Sequence, residues 1–80
     1  MGVSMDFDAR RRSKWARGRA ERGLPADAPF DGDPAAEARE ELVDLANYVD
    51  ELHAQGRIGE EERYRAHAVL IEWDGWLSRA

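Results

Sequence analysis

The sequence has 80 residues, a net charge of −5 and no cysteine. This length suits one small domain, residues 1–80, with a core that is only just large enough to fold. The lack of cysteine excludes disulfides, thiolate chemistry and zinc ribbons. No apolar run approaches the roughly 18 residues of a membrane span, and none follows Met1–Met5 as in a signal peptide. We therefore expect a soluble cytoplasmic protein with no membrane partner.

The charge is divided unevenly along the chain. Residues 1–22 carry seven Arg or Lys against three Asp or Glu, a net +4. Residues 23–80 carry five basic and fourteen acidic side chains, a net −9. Opposite charges attract, so we expect the two parts to attract each other, either within one chain or between chains.

The pattern of residues 6–22 predicts a first helix, which Asp6 or Asp8 can begin and Gly23 can end. Its cations suggest nucleic acid or phosphate, or else a basic helix that lies against an acidic neighbour. We favour the neighbour and expect no nucleic-acid partner, because an acidic protein with a single aromatic in its basic segment is a poor nucleic-acid binder.

Residues 23–33 hold two prolines and two glycines and predict a loop. Asp33 can cap a second helix over residues 34–55, and Pro34 suits its first position. Apolar side chains spaced by three and four along this helix predict a buried seam. They are Ala35, Ala38, Leu42, Leu45, Val49 and Leu52.

A third helix is predicted over residues 60–78, antiparallel to the second. Its apolar side chains occupy more of its circumference than the roughly 100° that one partner helix covers. Aromatic residues left exposed together usually mark an interaction site. We therefore predict an all-α fold, a basic helix followed by an antiparallel helical hairpin, which oligomerisation completes into a bundle with Trp73 and Trp76 at the interface.

The second helix also carries an acidic stripe, which we define as Glu37, Glu41 and Asp44. Their spacing of i, i+4 and i+7 brings three carboxylates onto one side of two helical turns. Mg²⁺ takes oxygen ligands and bridges to phosphates, so these residues are candidate metal ligands. The alternative is that they form an ordinary solvated helix face. The sequence has no Gly-rich phosphate loop and no catalytic Ser/His/Asp or Cys/His set.

The segment EAREELVDLANYVDEL resembles the Glu-x-x-Asp helix of the MazG-like all-α nucleotide pyrophosphohydrolases, as found in short phage-encoded relatives. The preceding SKWARGRAERG and PFDGDP are similar to the lead-in of such phage proteins. The resemblance covers residues 12–52 and places Glu41 and Asp44 on the family's second acidic motif. It implies a helical dimer or tetramer whose carboxylates hold Mg²⁺ while water attacks a nucleoside triphosphate, releasing a monophosphate and pyrophosphate.

The chain departs from this family in its earlier helix, which is the basic RRRSKWARGRAER where the family has Glu-Glu-x-x-Glu. A full metal site would therefore need the acidic stripes of two chains, and a degenerate, non-catalytic member fits the sequence as well as an active one does. In an active member, Lys14 and Arg17 would hold phosphates and Trp15 would stack on the base.

Two other functions remain open. The first is a non-enzymatic, phage-type helical protein that binds and modulates another protein through its acidic stripe or its Trp73 and Trp76 surface. The second is a nucleic-acid module that uses Arg10–Arg22, which we disfavour for the reason given above.

Overall fold

The computed structural model describes residues 5–25 and 27–80. These residues form three α-helices and no strand, which confirms the all-α prediction. The helices are α1 (Met5–Glu21), α2 (Pro34–Ala54) and α3 (Glu60–Leu77), each within one residue of its predicted ends. None of these described helices is long and apolar enough to cross a membrane. The chain divides into two compact units, Met1–Phe30 and Asp31–Ala80, which we call the N-terminal unit and the hairpin unit.

The N-terminal unit consists of α1 and the loop that follows it. Gly23 has a φ of +72°, in the left-handed region that glycine adopts at little cost, so the helix ends where the sequence predicts. The N–H of Gly23 donates to the carbonyl of Ala20, and the N–H of Leu24 donates to the carbonyl of Arg19. These bonds satisfy carbonyls that the end of a helix otherwise leaves without a partner.

The helix ends of the hairpin unit follow from local sequence. The carboxylate of Asp33 accepts a hydrogen bond from the backbone N–H of Ala35 at 3.0 Å, which caps α2. Gly56 ends the same helix with a φ of +72°. At the start of α3, the N–H of Gly59 donates to the Glu62 carboxylate at 2.9 Å. The acidic run 60–62 therefore serves as a helix start, as predicted.

Helices α2 and α3 pack against each other as an antiparallel hairpin. Arg39 and Asp74 form an ion pair at 2.9 Å, and Arg63 and Asp50 form another at 3.1 Å. From the first pair to the second, the residue number rises from 39 to 50 on α2 and falls from 74 to 63 on α3. The two helices therefore run in opposite directions. Among the described residues, Val49 is the one apolar side chain that is buried, at 8% exposure. The hairpin core is therefore thin.

The seam prediction is wrong for Leu45, which is 47% exposed. A helix covers only about 100° of its neighbour's surface. Helix α3 covers the side of α2 that carries Val49 and the half-buried Leu42. Leu45 lies about 60° round the helix from Leu42, at the edge of the covered zone.

Candidate functional site

Five of the eight large apolar side chains that are exposed on the hairpin lie along one of its two broad sides. Leu45 lies about 60° round α2 from Leu42, and Trp73 lies about 60° round α3 from Leu70, in the same sense of rotation. Because the two helices are right-handed and antiparallel, the same sense of rotation leads to the same side of the hairpin. We call this side the aromatic face. It consists of the exposed Leu45, Tyr48, Val69, Trp73 and Trp76 and the half-buried Leu52.

Two tryptophans form the most compact part of the aromatic face. The ring centroids of Trp73 and Trp76 lie 5.1 Å apart and their planes meet at 83°, an edge-to-face pair. Such pairs are favourable beyond the area they bury. The two side chains are nevertheless 50% and 55% exposed. With Glu72 and Arg79 they line a cleft of about 320 Å³. The pair is thus ordered by its own contact yet open to a partner.

The opposite broad side of the hairpin, which we call the groove side, holds a smaller apolar groove of about 180 Å³. Val43 and Ile71 line it and are both more than half exposed. His67 and Asp74 also line it, so polar side chains interrupt the apolar surface here. The groove side is therefore less continuous than the aromatic face.

The ion pairs of the hairpin lie toward the groove side. The hydrogen bond that Asp74 accepts from Arg39 lowers the pKa of that carboxyl. Asp50 lies 2.7 Å from His67 Nε2 and accepts a hydrogen bond from Arg63 at 3.1 Å. The hydrogen bond with His67, followed by the charges of His67 and Arg63, lowers the pKa of Asp50. These contacts tie α2 to α3 on the groove side of the hairpin.

The three residues of the acidic stripe, the predicted metal ligands, are all exposed on α2 and lie within about 40° of Tyr48 round the helix. In residues 5–25 and 27–80, no group of three or more His, Asp or Glu side chains could hold a metal ion. Three carboxylates spread over two turns of one helix would supply only part of the octahedral shell of Mg²⁺. The Mg²⁺ site therefore stays a prediction that needs ligands from a second chain.

The N-terminal unit contains a cluster that the sequence analysis missed. Arg19 is only 4% exposed, and its Nε and Nη2 donate to the carbonyl of Ala28 at 2.8 and 2.6 Å. Its guanidinium lies 4.2 Å from the ring centroid of Trp15, a cation–π contact. The ring of Trp15 is also stacked with that of Phe30 at 5.8 Å. The signal in the sequence was the spacing of Trp15 and Arg19, which puts them on one side of α1.

The predicted phosphate-binding residues Lys14 and Arg17 are exposed on α1. Neither forms an ion pair within the part of the chain that the structure describes. Trp15, the predicted base-stacking residue, lies next to them and is half exposed. Because its ring already contacts Arg19 and Phe30, a base would have to share or displace those contacts.

The other cations of α1 are paired locally. Arg10 lies 3.2 Å from Asp6, and both Arg11 and Arg12 pair with Asp8. The hydrogen bond from Arg11, helped by the charge of Arg12, lowers the pKa of the Asp8 carboxyl. The first half of α1 is consequently less cationic than its count of arginines indicates.

No protein family, curated protein or solved structure matches this chain. The resemblance of residues 37–52 to a MazG-like helix therefore stays a prediction. The function has to be argued from the surfaces described above. Among them, the aromatic face is the one most typical of a binding site.

Proposed function

We propose that this chain is a non-enzymatic helical protein that acts by binding another protein through its aromatic face. One observation carries the proposal. Trp73 and Trp76 contact each other edge to face and remain half exposed within a row of large apolar side chains. Aromatic residues are enriched at the centres of protein interfaces, and a contiguous exposed apolar patch usually marks such a site.

The size of the patch supports a binding role. Trp73, Trp76 and Tyr48 are between one half and about two thirds exposed. Since an aromatic side chain buries about 150–250 Å², these three together leave roughly 400 Å² open. Burying that area contributes on the order of 10 kcal/mol before costs, and association itself costs about 4–15 kcal/mol. A partner that packs closely on the aromatic face can therefore bind with useful affinity.

The acidic stripe supports this choice over hydrolysis by one chain. Among the described residues, Glu37, Glu41 and Asp44 form no group that could hold a metal ion, either with one another or with other Asp, Glu or His side chains. The Mg²⁺-dependent hydrolysis of nucleoside triphosphates would need ligands from another copy, so that hypothesis also depends on association. Association with another chain is the property that both functions require.

Photo-crosslinking in cells that produce the protein tests this proposal. A photoreactive amino acid in place of Tyr48 lies on the aromatic face, whereas the same amino acid in place of neighbouring Asn47 lies about 100° away round α2, on the side that points away from α3. We expect a defined crosslinked protein from position 48 and none from position 47. The product should disappear when Trp73 and Trp76 are both replaced by alanine. Equal yields at both positions, or no product at position 48, would contradict the proposal.

A further inference from the structure

We infer that the protein on the aromatic face is a second copy of this chain, so that two hairpin units form a four-helix bundle. The inference rests on the proposed function and names its partner. Three features of the hairpin unit carry it: its incomplete core, the area of the aromatic face, and the distribution of charge at the edges of that face.

The hairpin unit is incomplete as a folded body. Val49 is its one buried apolar side chain in the described residues, and Leu42, Leu70 and Leu77 remain partly exposed between the helices. Two helices that share one narrow contact rarely supply a sufficient core below about 70–80 residues, and oligomerisation is a common remedy. The partner must be present wherever the chain is folded, and another copy of the chain always meets that requirement.

The aromatic face has the area that a dimer needs. Each partner of a standard interface buries about 800 Å², and the three aromatic side chains alone supply roughly half of this. Leu45, Leu52 and Val69 extend the same surface along the hairpin. Facing helices that bury a shared apolar surface of this kind are the arrangement of a four-helix bundle.

The charges beside the aromatic face favour one arrangement of the two copies. The outer edge on α2 carries Glu37 and Glu41, while the outer edge on α3 carries Arg65 and Arg79 together with Glu61 and Glu72, and Arg65 is paired with Glu61 at 2.7 Å. A two-fold axis parallel to the helices would place α2 of each copy against α3 of the other, so that the acidic edge of α2 meets an edge of mixed charge. An axis across the helices would place α2 on α2 and bring like charges together, which is unfavourable.

The total charge gives this dimer a distinctive salt dependence. Residues 31–80 hold five basic and thirteen acidic side chains, a net −8. The full-length chain keeps a net charge of −5, so two copies repel each other at long range, and salt screens that repulsion. Self-association through apolar contacts should therefore become tighter as salt is added. A basic partner on the same face would bind more weakly under the same change.

Sedimentation equilibrium of the full-length protein tests the inference. We expect a species of twice 9.1 kDa at micromolar concentration, with a lower dissociation constant at about 0.5 M than at about 0.05 M salt. Trp76→Glu should raise the dissociation constant at least 100-fold. The matched control is Ile71→Glu, which places the same charge at an exposed position of α3 on the groove side and should change the constant less than 3-fold.

The outcomes separate this inference from the proposed function. A monomer with full helix content, together with a crosslink from position 48 to a different protein, would contradict the inferred dimer. It would still support the proposal that the aromatic face binds a protein. A monomer without any crosslink would overturn both. If Trp76→Glu fails to fold, the melting temperature of the unaltered protein decides the matter. A melting temperature that rises with protein concentration supports the dimer, and a melting temperature that stays constant contradicts it.

Discussion

The N-terminal unit and the hairpin unit differ in what contacts their half-exposed tryptophans. In the N-terminal unit, Trp15 is 50% exposed, but Phe30 from the following loop stacks on its ring and Arg19 is buried against it. In the hairpin unit, Trp73 and Trp76 are about equally exposed, and each packs edge to face on the other. Equal exposure therefore does not mean equal surroundings. The loop after α1 returns to the ring of Trp15, whereas the tryptophan pair of α3 lies beside an open cleft.

The largest effect is expected from Val49, on which the hairpin core depends. Val49→Asp would place an unpaired carboxylate at the one buried apolar position, which costs several kcal/mol. A core of this size is worth about 3–5 kcal/mol, so α2 and α3 should lose most of their helix content. Far-ultraviolet circular dichroism measures this loss. Val43→Asp is the matched control, since Val43 is 56% exposed, and it should shift the unfolding free energy by less than about 0.5 kcal/mol. Full helix content in Val49→Asp would show that the core lies elsewhere.

A smaller effect is expected from Arg19, on which the loop of the N-terminal unit depends. Arg19→Ala removes two charge-assisted hydrogen bonds to the carbonyl of Ala28 and the contact with Trp15. Hydrogen bonds to charged groups contribute about 1.5–3 kcal/mol, so the loop should open locally. The readouts are the NMR shift of the Trp15 indole and faster amide exchange at Leu24. Arg17→Ala, at an exposed arginine of the same helix, should leave both unchanged. An unaltered Trp15 signal in Arg19→Ala would remove the contrast between the units.

The pH dependence of the hairpin gives a finer test of how its helices are joined. The folded pKa of Asp74 is lowered by Arg39, below the ordinary value of about 3.9 that applies when the chain is unfolded. The pair therefore stabilises the fold above that value, and its contribution is lost as the pH falls through the lower folded pKa. Asp74→Asn should be less stable than the unaltered protein at pH 7, with the gap closing below about pH 4.

Denaturant titrations at a series of pH values measure that gap. Arg39→Gln is the matched variant, because it removes the same ion pair from the other side. The two single variants and the double variant should be about equally destabilised, since each lacks the one pair. A difference in unfolding free energy that stays constant down to pH 2 would show that the ion pair contributes nothing to the stability of the folded state.

The last effect concerns the acidic stripe, where the resemblance to MazG-like enzymes predicts Mg²⁺ binding. At a Mg²⁺ concentration 100 times the dissociation constant, binding should add about 2.7 kcal/mol to the stability. Glu41→Gln and Asp44→Asn should abolish this gain without changing the helix content. Isothermal titration of the unaltered protein is the direct check. No heat with either Mg²⁺ or Mn²⁺ would remove the enzyme hypothesis and leave the binding role.

Local sequence was enough to predict where the helices begin and end. Asp33 caps α2, and Gly23 and Gly56 end their helices with positive φ, because each signal acts through neighbours in the chain. The extent of burial could not be predicted in the same way. Periodicity placed Leu45 in the seam, but its exposure depends on the exact side that α3 covers. Arg19 was missed because its acceptor, the carbonyl of Ala28, is reached only after the loop returns.

The candidate site was predicted in part. The excess of apolar residues on the third helix singled out Trp73 and Trp76, and the structure leaves both half exposed beside each other. The sequence did not show that Leu45 and Tyr48 of α2 join them on one side. That grouping depends on the antiparallel packing of α2 against α3. The residue pattern of one helix alone does not show it.

The central claim, that a partner covers the aromatic face, is tested most directly by tryptophan fluorescence. Trp15→Phe leaves Trp73 and Trp76 as the only tryptophans, so the emission reports on the aromatic face alone. We expect red-shifted emission and strong acrylamide quenching at nanomolar concentration, when the copies are apart. The emission should shift to the blue and the quenching should fall at micromolar concentration and above. Emission and quenching that stay the same over this whole range, with helix content intact, would contradict the account.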